Sequence, residues 1–151
     1  NRNVFNEPKW LTAESYISRI SAAPLNLVKP IADKAVNSLL SPIRINNIDK
    51  YSYAADAYMP EDYMADIVKM VFSETASGAK VTPYRRYLQT QVVNTAARNY
   101  NGAAPVTVRT YYYSILRSIR TRLASAHTGD AATKAHYAVL LQMINDAIDK
   151  K

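Results

Sequence analysis

Residues 105–126 read PVTVRTYYYSILRSIRTRLASA, and the periodicity of this stretch decides the fold. Its first half, VTVRTYYYS, is rich in β-branched and aromatic residues and passes locally for a strand. A strand would alternate sides every second residue. The apolar residues instead recur as Val108, Tyr112, Ile115, Leu116, Ile119 and Leu123, the three-and-four spacing of one helical face, and they continue well past the strand-like segment. Arg109, Arg117, Arg120 and Arg122 fall mostly on other faces. The segment is predicted to be a helix with a single buried stripe.

The same pattern extends outward in both directions. Downstream, Tyr137, Leu140, Leu141, Ile144 and Ile148 predict a helix over 130–149 behind the cap Asp130. Upstream, Tyr84, Leu88, Val92 and Ala96 predict one over 83–100, opened by the pair Thr82-Pro83 and stopped near Asn101-Gly102. Tyr63, Met64, Ile67, Val68, Val71 and Phe72 predict a helix over 60–77, with Glu61 and Asp62 at the positive end of its dipole and Gly78 as its stop. Ser41-Pro42 opens a shorter one over 42–53. Ile31, Ala35, Val36, Leu39 and Leu40 predict a helix over 25–40, kinked or broken at Pro30. A first helix over 12–22 starts from the cap Thr12. The expected architecture is all-α, an irregular bundle of about six to seven helices in a single domain spanning 1–151.

Composition narrows function mainly by exclusion. The chain has 151 residues and no cysteine, which removes disulfides, thiolate zinc sites and cysteine nucleophiles. With only 3 glycines and no GxGxxG or GxxxxGK[ST], a phosphate-cradling loop is not available. No apolar run approaches the length of about 20 residues that a membrane span needs. The net charge is +7, and its placement is uneven. Residues 1–74 carry 8 basic and 9 acidic side chains, whereas 75–129 carry Lys80 and seven arginines with no Asp or Glu. Such a block faces something negative: a nucleic acid, an anionic surface or an acidic neighbouring domain.

No constellation for catalysis stands out. His127 and His136 are nine residues apart and form no HExxH pair, so neither catalytic nor metal residues are assigned. His127 is expected in a loop and His136 beside the core stripe of its helix. Glu61, Asp62 and Asp66 are explained mostly as dipole compensation. Tyrosine is the anomaly, with 12 residues including Tyr111-Tyr112-Tyr113. Interleaved with arginine, these rings could stack on bases. Successive helical residues point about 100° apart, however, so the three rings cannot form one platform. Nucleic acid is therefore the lesser alternative.

Five segments in order, VFNEPKWL at 4–11, NSLLSPIRINNI at 37–48, AYMPEDYMADIVKMVF at 57–72, YRRYLQTQVV at 84–93 and TKAHYAVLLQMINDAI at 133–148, resemble the C-terminal helical part of large bacterial zinc-dependent metallopeptidases of the met-zincin type. The resemblance implies a parent protein whose zinc and general base sit on an upstream HExxHxxGxxH stretch, absent from this chain. It implies that this segment, a C-terminal fragment, holds no cofactor and is a noncatalytic accessory domain packed against that catalytic domain. It also implies a periplasmic, cell-surface or secreted location, and admits contact with peptide substrate. Arg85, Arg86, Gln89 and His136 match the family pattern and are the expected inter-domain contacts. Arg85 and Arg86 could equally pair with Asp62, Asp66 or Glu74 on the preceding helix, because the rigid guanidinium fork suits carboxylates.

Overall fold

The computed structural model describes residues 25–50, 60–126 and 129–149. The helix expected over 12–22, and His127, lie outside these described residues. Within them the chain forms α1 (Leu25–Leu39), α2 (Pro42–Lys50), α3 (Pro60–Val71), the single turn α4 (Glu74–Ser77), α5 (Pro83–Arg98), α6 (Val106–Ala124) and α7 (Ala131–Asp149). No strand occurs among the described residues, and the bundle is all-α as expected.

In α6 all six residues of the apolar stripe are buried. Val106 is 73% exposed while Val108 is buried, so the two-residue period fails at its first step. Helix α5 is the hub of the bundle: it packs on α1, α6 and α7, and α6 in turn packs on α3 and α7. Tyr84, Leu88, Val92 and Ala96 of α5 are all buried, and Val93 joins them. In α7, Tyr137, Leu140 and Ile144 are buried while Leu141 and Ile148 pack at the edge of the core.

The helix starts follow local chemistry. Ser41 Oγ accepts from the Arg44 amide at 3.1 Å, and Thr82 Oγ1 accepts from the Arg85 amide at 3.3 Å. Asp130 Oδ2 accepts from the Thr133 amide at 2.8 Å and from its hydroxyl at 2.7 Å, which holds the Asp130 carboxyl below its ordinary range. Each such cap satisfies an N–H that the helix itself leaves unpaired. Helix α5 ends in a π turn, Asn99–Ala103, that closes through Gly102 at φ 134°, a conformation that side chains with a Cβ rarely adopt.

Two expectations change and a third narrows. Helix α1 runs through Pro30 without a break, since only the bond to the Asn26 carbonyl is lost and the buried face downstream keeps the helix together. Ile31, expected on the apolar stripe, is 38% exposed. The buried face of α1 is centred on Ala32 and Val36, and Ile31 lies about 100° away from Ala32. The helix expected over 60–77 is interrupted after Val71, because side chains from α5 take over the carbonyls that would have continued it.

Candidate functional site

The last carbonyls of any helix lack intrahelical donors. At the end of α3, Arg85 Nη1 donates to both the Met70 and Val71 carbonyls at 2.9 Å. Gln89 Nε2, one turn further along α5, donates to the Val71 carbonyl at 3.0 Å and to Glu74 Oε2. The chain can therefore turn at Phe72 and Ser73 without stranding polar backbone in the core. Glu74 follows at once, 8% exposed, with Oε1 lying 3.7 Å from Arg85 Nη1. Tyr137 Oη, on α7, donates to Glu74 Oε2 at 2.8 Å. Burial and this carboxylate push the Tyr137 phenol well above its usual range.

His136 completes the cluster. Its Nε2 lies 2.9 Å from Gln89 Oε1. The Val71 carbonyl can only accept, so the Gln89 amide nitrogen must face it, and Oε1 must face the histidine. His136 therefore carries its proton on Nε2 and donates. Burial, reinforced by the nearby positive charge of Arg86, lowers its pKa to about 4, so the imidazole is neutral at pH 7. Glu74, Arg85, Gln89, His136 and Tyr137 thus form one connected polar network joining α3, α4, α5 and α7.

Of the four residues singled out from the sequence, Gln89 is fully buried and Arg85 nearly so, and both are committed inward. Arg85 takes Glu74, one of the three carboxylates anticipated for it. Arg86 and His136 are half-buried and keep some surface. Glu74 and Tyr137 belong to the cluster although no sequence pattern singles them out as site residues. Tyr137 reads as part of an apolar stripe, and only the position of its hydroxyl in space reveals the second role. The cluster has no reach to solvent through Gln89, and its hydrogen bonds hold helices rather than present a reactive atom.

Other members of the basic block also work internally. Arg109 Nε donates to the Ala104 carbonyl at 2.7 Å, closing the π turn, and Arg120 Nη1 donates to Asn145 Oδ1 at 3.3 Å. The tyrosine triplet splits as helical geometry requires. Tyr112 is buried and donates to the Leu40 carbonyl at 2.6 Å, and burial raises its pKa. The Tyr113 ring instead lies 5.3 Å from that of Tyr100, with Arg117 over it at 5.7 Å.

A family model described as Met-zincin matches residues 1–79, just over half of the chain. The chain belongs to this family. No curated protein and no solved structure matches it. The Met-zincin match covers α1 to α4 and stops before α5, so it includes Glu74 but not the arginine and glutamine that bind it. Among the described residues no three His, Cys, Asp or Glu side chains converge as metal ligands would. These residues do not fit the zinc that the family name suggests. No helix among the described residues is long and apolar enough to cross a membrane.

Proposed function

We propose that this chain is a noncatalytic helical accessory domain of a zinc-dependent met-zincin peptidase, seated against a catalytic domain that precedes it in a longer polypeptide. The parent would act outside the cytoplasm. Family membership supports the kinship. The observation that carries the noncatalytic role is the inward commitment of the polar network. Every functional group of Gln89 and the Oε2 of Glu74 is spent on joining helices, and His136 donates its one proton to Gln89. Catalysis requires groups that meet a substrate. This network instead makes a rigid scaffold. Arg86 and His136, at its half-exposed edge, are the members placed to touch the neighbouring domain, and the exposed cations Lys80 and Arg98 add to its electrostatic attraction.

The test is to express the reading frame upstream of Asn1, which should encode an HExxHxxGxxH stretch, with and without this segment. The isolated segment with added zinc should cleave no peptide, and the catalytic part should lose activity or solubility without it. Peptide turnover by the purified 151-residue chain, or full activity of the catalytic part alone, would overturn the proposal.

A further inference from the structure

The solvent side of α6 carries a second organised feature. Ser114, Arg117, Ser118, Thr121 and Arg122 are separated by three, one, three and one residues, which sets them along one side of the helix. They form one wall of an open trough of 540 Å³ whose other wall is α3, where Lys69 projects beside small apolar side chains. No acidic residue lines the trough, and none of its three cations makes an ion pair with a described carboxylate. Lys69 and Arg117 are exposed. Arg122 is half-buried, and its Nε is buried without a hydrogen-bond acceptor in the protein.

We propose that this trough binds an acidic peptide, supplied by a separate chain, whose carboxylates pair with its three cations. Arg117 and Arg122 are five residues apart on α6, about 7.5 Å along its axis and about 140° around it, so they stand on either side of the row formed by Ser114, Ser118 and Thr121. Each guanidinium takes one carboxylate of the peptide. Lys69 takes a third from the opposite wall. Between the cations, Ser114, Ser118 and Thr121 offer hydroxyls that both donate and accept, as the peptide's own N–H and C=O groups require. A compact phosphate needs converging donors, whereas these cations are spread along the helix. A single nucleic-acid strand would also need ring faces on which its bases stack, and no aromatic residue lines the trough. The site rests on the trough alone and stands apart from the accessory-domain role.

The test is fluorescence anisotropy of the whole chain with a labelled peptide, Ala-Glu repeated three times, at about 50 mM salt. Binding should weaken as salt rises and vanish when each Glu is replaced by Gln. Lys69→Glu and Arg117→Glu, at exposed positions that leave the fold intact by circular dichroism, should each weaken it about fivefold or more, and Arg122→Gln similarly. Lys34→Glu, an exposed cation of α1 outside the trough, should leave it unchanged. Absence of binding, indifference to the three trough substitutions, displacement by inorganic phosphate at matched charge, or equal affinity for oligothymidylate would each overturn the proposal.

Discussion

Replacing His136 by Gln should remove much of the protein's sensitivity to acid. In the folded state the imidazole binds its proton only below about 4, against an ordinary value of 6.5. Between these values the unfolded chain holds a proton that the folded chain does not. Unfolding therefore takes up a proton in that window, and stability falls as pH drops from about 6.5 toward about 4. From pH 7 to pH 4.5 the two titration curves separate by about 2 kcal/mol. The introduced glutamine amide can still donate to Gln89 Oε1 but cannot titrate, so the variant keeps the contact and loses the linkage. Urea unfolding followed by circular dichroism, on both proteins at both pH values, yields a difference of differences in which the shared carboxylates cancel. The wild type should lose about 2 kcal/mol more than the variant. Equal losses, within about 0.5 kcal/mol, would refute the buried neutral histidine. A proton NMR titration gives the midpoint directly, since the chain has two histidines and the variant assigns the resonance. Arg86→Gln, which removes the neighbouring positive charge, should raise that midpoint and narrow the window.

The remaining predictions concern the joints between helices. Arg85→Ala should destabilise by about 3 kcal/mol in urea unfolding, because it leaves the Met70 carbonyl without a side-chain donor, leaves that of Val71 to Gln89 alone and removes the cation beside the buried Glu74 carboxylate, and Arg85→Lys should recover only part of that loss. Tyr112→Phe should cost about 1 kcal/mol, since the Leu40 carbonyl keeps only the longer 3.5 Å bond from Asn99. Pro30→Ala should stabilise by about 2 kcal/mol by restoring the N–H bond inside α1, and an unchanged melting temperature would show that the helix had already bent to absorb the defect.

What could be read from the chain and what could not divide along a physical line. The stripe of α6, the burial of Tyr84, Leu88, Val92 and Ala96, and the caps at Ser41, Thr82 and Asp130 depend on residues within one or two helical turns of each other. Such local relations survive in a linear sequence. The break after Val71 does not, because the hydrophobic pattern of α3 is helical through Phe72 and nothing nearby forbids a further turn. It is Arg85 and Gln89, fourteen to eighteen residues later, that stop it. Ile31 fails for a related reason. Its spacing to Ala35 suits the stripe, but where α5 approaches is decided by Ala32, whose small side chain admits a close neighbour.

The helix ends inside this bundle also explain its composition. Helices α1 and α3 both finish against other helices, where their last carbonyls meet no water. A carbonyl in that position needs a donor from elsewhere, and the donor must be long enough to cross between helices. Tyr63 from α3 and Tyr112 from α6 serve the Leu39 and Leu40 carbonyls at 3.1 and 2.6 Å, as Arg85 and Gln89 serve α3. Tyrosine suits this task because its ring fills core volume while its hydroxyl donates at the far end. Tyr63 and Tyr112, and the inward part of the basic block, are therefore two answers to one demand for buried donors. The cations left over, chiefly Lys69, Arg117 and Arg122 along the trough, serve no such carbonyl among the described residues. That contrast is why the trough, and not the arginine-glutamine pair of α5, is where an external carboxylate should bind.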